Sequence, residues 1–207
     1  MPLQEHLTDP QAIWDELKAG NERFAAQQSK HPNDTVERRT ILSEGQNPRA
    51  VVLACSDSRV PVELLFDVGL GDVFVIRTAG EIVGLSVLAS LEYAVESLGC
   101  PLVIVMGHEF CGAVGAAMNA VNNGEVPGGF TRVLIERVSP SVMAANGEGK
   151  HSAEDVERIH VAQTVAQLFT LYPALKERLA QGTLGVIGAR YRISDNKVET
   201  VVAHGVE

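Results

Sequence analysis

The sequence predicts an α/β domain built on a mostly parallel central sheet flanked by helices. Short apolar runs at 50–55, 72–77 and 102–106 are continuous rather than alternating, as in strands buried on both faces, and 184–193 reads as a fourth strand. They are interleaved with segments whose apolar residues recur every 3.6 positions, the rhythm of βαβ units. After the fourth strand, Ser194-Asp195-Asn196 is a turn signal, and 197–203 returns as an antiparallel edge strand. The expected strand order is 2-1-3-4 plus that edge strand, with right-handed crossovers.

Each element has a local reason. Residues 9–28 read as a helix, with Asp9 as N-cap, Pro10 in the first turn, and Ile13, Leu17 and Phe24 near one face. Trp14 lies beside that face. Residues 29–40 are polar and lead through a loop into a short helix. Residues 86–98 carry Leu88, Leu91, Val95 and Leu98 at helical spacing, and Gly99 and Pro101 stop them. Residues 112–122 form a small-residue helix, 124–129 a loop, and 131–143 and 152–169 two further helices. Ser152 caps the last of these, ahead of the acidic first turn Glu154-Asp155-x-Glu157.

The 207 residues are expected to form one domain, 1–45 being a helical arm and 46–207 the α/β core. A net charge of −9 argues against binding nucleic acid or an anionic membrane surface. The longest apolar runs are about six residues, too short to span a bilayer. The opening MPLQEHLTDP lacks the basic and apolar regions of a secretory signal. Three cysteines do not make a disulfide framework, so reduced thiols in the cytoplasm are expected. Cys100, at a strand start, reads as a buried free thiol, and His160 and His204 as ordinary helix and surface histidines.

Cys55 and His108 fall at the C-terminal ends of the first and third strands. In an order 2-1-3-4 the chain reverses between those strands, and ligands bind at such a switch point. Cys111 follows His108 by three residues, close enough for a tight turn or helix start to bring them together. Two thiolates and an imidazole suit zinc, and three protein ligands leave one position open, the catalytic pattern. Gly107 and Gly112 are expected to allow an unusual backbone there. The alternative from spacing alone is a buried Cys at each place and a hydrogen-bonded core His. Protease, deaminase, Walker and dinucleotide motifs are absent from the sequence.

Cys55-Ser-Asp57-Ser-Arg59-Val60 together with Gly107-His108-x-x-Cys111-Gly112 resembles the signature pair of the beta-class carbonic anhydrases. The similarity extends through Gly20-Asn21-x-Arg23-Phe24, Gly71-Asp72-x-Phe74-Val75-Ile76-Arg77 and Leu91-Glu92-Tyr93-Ala94-Val95. The resemblance implies one zinc per chain on Cys55, His108 and Cys111. It implies reversible hydration of carbon dioxide to bicarbonate and a proton by hydroxide on that zinc. It also implies a homodimer, or a multiple of dimers, whose N-terminal helices pack on the partner.

By the same resemblance, Asp57 and Arg59 are the dyad that orients the nucleophile. Arg59 would hold Asp57 ionised and off the metal, and without that hold Asp57 could itself become the fourth ligand. For these two residues alone the plain alternative is an exposed ion pair. Gln46 is similar to the family's pocket amide donor, Phe74 and Tyr93 to its pocket walls, and the Gly112 N–H is a further donor. Phe74 and Tyr93 read equally as ordinary core. Ala79 replaces a bulkier aliphatic, and Thr78 an Asn. Val52 stands where one branch of the family has the Trp of a non-catalytic bicarbonate site, so no such site is expected. Two thiolates neutralise zinc, so activity should rise on the alkaline side of neutrality. The rival readings are a related hydrolase of carbonyl sulfide or carbon disulfide, and a non-catalytic zinc protein.

Overall fold

A computed structural model of the chain describes residues 8–207; the start of the opening stretch, up to residue 7, lies outside them. Helix α1, Pro10–Ala25, begins where expected, the Asp9 carboxylate accepting from the Gln11 and Ala12 amides. Its face of Ile13, Trp14 and Leu17 is buried against Ala50, Val52, Leu102 and Ile104 of the same chain's sheet. Thr35 caps the short α2, Val36–Leu42.

Five strands follow in the expected places: β1 Ala50–Cys55, β2 Val73–Thr78, β3 Leu102–His108, β4 Gly185–Arg192 and β5 Lys197–His204. Their order is β2-β1-β3-β4-β5, parallel except for β4 against β5. β1 and β3 are central and buried throughout, so their sequences show no polar alternation. The alternation is between two apolar layers. Val52 and Ala54 face α1 and the short α3, Val62–Leu65, whereas Val51 and Leu53 face the opposite helices.

Those opposite helices are α4, Leu85–Glu92, and α7, Ala153–Leu171, with α8, Ala174–Ala180, beyond. The single helix expected over 86–98 changes pitch: a π turn covers Tyr93–Ser97, with the Leu98 N–H bonded to the Tyr93 carbonyl. The wider turn buries Leu91, Ala94 and Val95 together. Helices α5, Gly112–Asn123, and α6, Arg132–Gly147, form a third apolar cluster that includes Cys55 and Cys111. α6 runs four residues past its expected end, and α3 and α8 had no expectation. Segments of 4 and 7 residues are too short to show a period. Among the described residues, no helix is long and apolar enough to cross a membrane.

Candidate metal centre

The β1–β3 register pairs Ala54 with Met106, so Cys55 and His108 both emerge just past the last paired residues. Cys111 is the N-cap of α5. The ligand atoms of Cys55, His108 and Cys111 all lie within 4.8 Å of one another, and all three residues are buried. One metal ion can be held between them.

The surroundings prepare each donor. His108 Nδ1 lies 2.9 Å from the Glu109 carbonyl and donates to it, which leaves the lone pair on Nε2. That Nε2 is buried and has no hydrogen-bond partner among the described residues, so the plain reading of a satisfied core histidine does not hold. The Gly80 N–H reaches the Cys55 sulfur at 3.2 Å. Gly80 has a φ of +68°, and an added Cβ would stand 2.7 Å from the Ala113 Cβ, so a side chain there would push this donor away. Cys55 carries the negative charge of the thiol pair. The Cys111 hydrogen bond lowers it most, and Cys111 is correspondingly raised by Cys55. Burial alone would lower His108, but Cys55 beside it outweighs burial and raises the imidazole. Two soft sulfurs and one available imidazole nitrogen fit zinc.

The unusual backbone expected at the two glycines falls between them. Gly107 and Gly112 do not have positive φ; the left-handed residue of this turn is Phe110, at φ +59°. Gly107 is needed for packing instead, because a Cβ would meet Val161 Cγ2 at 2.5 Å.

Asp57 and Arg59 are joined by three hydrogen bonds. Asp57 Oδ1 accepts from the Arg59 amide and Nε, both at 2.9 Å, and Oδ2 accepts from Nη2 at 2.8 Å. Arg59 also donates to the Phe110 carbonyl at 3.2 Å, which ties the pair to the turn that carries Cys111. Arg59 holds the Asp57 carboxyl well below the usual carboxylate range. Asp57 Oδ2 stays 3.9 Å from His108 Nε2.

Three contributors were not legible as such in the sequence. Arg77 leaves β2 and donates to the carbonyls of Cys55 at 2.9 Å and Asp57 at 2.6 Å, fixing the loop between ligand and dyad. Glu157 is buried on α7. It accepts from the Cys111 amide at 3.4 Å and from Arg190 Nε at 2.8 Å. Glu81 is buried, with Oε2 unbonded among the described residues, and burial raises it well above a normal carboxyl. Arg77 stood in the sequence as the arginine that ends an apolar strand and a stretch similar to the family, with no sign of what it would hold, and Glu157 was concealed in an ordinary acidic first turn.

The other expected site residues are spread out. Gly112 opens α5, exposed, beside Cys111. Ala79 is exposed next to Gly80, in the turn closed by the Thr78 hydroxyl on the Ile82 carbonyl at 3.0 Å. Gln46 is exposed ahead of β1. Phe74 pairs with Val51, four residues below Cys55, about 13 Å along the strand. Its ring meets that of Tyr93 at 6.2 Å, and Tyr93 is 48% exposed. Cys100 is a buried free thiol, pushed up to about 12 by burial. His160 is buried, between Ser141 and the Gly80 carbonyl, both at 2.9 Å. His204 is half-buried rather than freely exposed, edge-on to Phe169 at 5.1 Å. It sits opposite Val186, five residues from the level of His108, about 16 Å away.

A family model described as carbonic anhydrase matches residues 50–198. The chain belongs to the beta-class carbonic anhydrases. It is 47% identical over 190 residues to carbonic anhydrase 2 of Mycobacterium tuberculosis, covering 92% of each chain. Identity to the carbonic anhydrase of Mycolicibacterium smegmatis is also 47%, over 192 residues and 93% of each chain. A solved tetrameric beta-carbonic anhydrase from Sordaria macrospora superposes with a TM-score of 0.71 at 25% identity, over 93% of this chain and 99% of that one. The likeness of fold therefore extends beyond the segment that the family model matches.

Proposed function

We propose that this chain is a zinc enzyme that hydrates carbon dioxide reversibly to bicarbonate and a proton. The observation that carries this reading is an ionised Asp57, clamped by Arg59, beside an available Cys55–His108–Cys111 donor set. A purely structural zinc would need neither dyad residue. When bound, zinc supplies the Lewis acid that makes water nucleophilic near neutral pH, less strongly with two thiolates than with three imidazoles.

Asp57 stays unprotonated and accepts a hydrogen bond from the attacking water, which aims the water's lone pair at the substrate carbon. Arg59 keeps Asp57 in place, and Arg77 keeps the backbone of both in place. The Gly112 N–H, at the positive end of α5, donates to the developing carboxylate oxygen. Gln46 supplies a second amide donor, and Ala79 leaves room for the substrate. Phe74, far down β2, and Tyr93, in the π turn against it, are too distant to wall this chain's own centre. In a homodimer, or a multiple of dimers, they line the partner's. The single domain, arm 1–45 and core 46–207, and a cytoplasmic setting for its three free thiols belong to the same reading.

Stopped-flow hydration of carbon dioxide, on protein assayed for zinc, tests it. One zinc per chain and a rate that rises between pH 7 and 9 and vanishes with a chelator are expected. Zinc-replete protein without hydration activity would overturn the proposal.

A further inference from the structure

A cavity of about 410 Å³ lies at the other end of the sheet from the metal centre. Arg49 marks its level, six residues before Cys55, about 20 Å along β1. α1, the link after it and the α3–β2 loop close its sides.

Its carboxylates are already saturated. Asp67 Oδ1 accepts from the Lys30 and His31 amides, at 2.9 and 3.0 Å, and Oδ2 accepts from Arg23 Nε at 2.6 Å. Asp72 accepts from Asn33 Nδ2 at 2.9 Å, from the Gly69 amide at 2.8 Å and from Arg38 Nη2 at 3.3 Å. The donors are not saturated. Arg23 engages Asp67 through Nε alone among the described residues. Arg49 pairs with Glu16 through Nη1, while its Nε is buried with no hydrogen-bond partner among the described residues. Arg23, Arg38 and Arg49 balance Asp67, Asp72 and Glu16, which leaves the positive charge of Lys30 over.

A buried guanidinium N–H without an acceptor is costly, and guanidinium forks match planar and tetrahedral oxyanions. We propose that this cavity binds a small oxyanion, a phosphate or carboxylate group, through Arg49, Arg23 and Lys30. The anion bridges α1 and its link to the foot of β1, and so fastens the arm to the core.

Calorimetry on the zinc-loaded full chain tests this, with inorganic phosphate in one arm and succinate in the other. One anion per chain is expected, and the better-bound of the two identifies the group. Arg49→Gln and Lys30→Gln should each weaken it about tenfold, as loss of one charge-assisted contact does. Asp57→Ala, at the metal centre, should leave it unchanged. Lys30 is exposed, so Lys30→Gln keeps the test alive if Arg49→Gln fails to fold. No binding of either anion, or equal binding by wild type and both variants, would overturn the proposal.

Discussion

At Asp57 two attractions compete: a cation at the three donors would draw the carboxylate in, and Arg59 holds it out. Three hydrogen bonds join the carboxylate to Arg59, and we propose that they outweigh the pull of the cation. This is why 49% exposure of the Arg59 side chain does not make the pair a negligible surface bridge. Asp57→Ala should keep one zinc per chain and lose about 10²- to 10⁴-fold in hydration rate, since only the hydrogen-bond acceptor is removed. Zinc analysis alongside stopped-flow rates checks it; loss of zinc in this variant would make Asp57 a ligand instead. The identity of these residues was readable from the two motifs. The roles of Arg77 and Glu157 were not, because each acts on backbone groups of distant segments.

Among the elements, the β3–α7 contact bears most directly on the centre. Gly107 precedes His108 and lies against α7 without a side chain of its own. In Gly107→Ala the new Cβ would meet Val161 Cγ2 at 2.5 Å and Glu81 Oε1 at 3.0 Å. Overpacking of that kind costs about 1–3 kcal/mol. The variant should melt at a lower temperature and bind zinc more weakly, as thermal denaturation and competitive chelation would register. Gly112→Ala has nothing within 4 Å to meet and should leave the melting temperature nearly unchanged. The sequence placed both glycines beside the ligands. It did not place the packing, which depends on a helix some fifty residues later.

For the molecule as a whole, Asp67 links pH to stability far from the centre. Burial alone would raise its carboxyl, but the Lys30 amide, Arg23 and the His31 amide outweigh burial and lower it. A carboxyl lowered on folding stabilises fully above its unfolded pKa, and that contribution is lost as pH falls through the folded value. Asp67→Asn should therefore cost about 3 kcal/mol at pH 7, typical of a broken buried pair. The gap to wild type should narrow as pH falls below the ordinary carboxylate range and through the lowered folded value, where the wild-type carboxyl is protonated too. Denaturant melts at pH 7 and pH 3 measure it, and a gap unchanged with pH would mean that the charge on Asp67 does not matter.

The sequence by itself determined the sheet, its order and the three metal donors. Continuous apolar runs and strand-end Cys and His residues are local signals, each contained in a few neighbouring positions. Only the tertiary structure decided how those donors are tuned. The Gly80 N–H on Cys55, the Arg77 clamp and the Glu157–Arg190 pair behind Cys111 join residues 20 to 46 positions apart. The same holds for the saturated aspartates and unsatisfied arginine of the second cavity. Hydrogen-bond satisfaction is settled by which groups packing brings together, and a linear pattern of residue types carries no record of that.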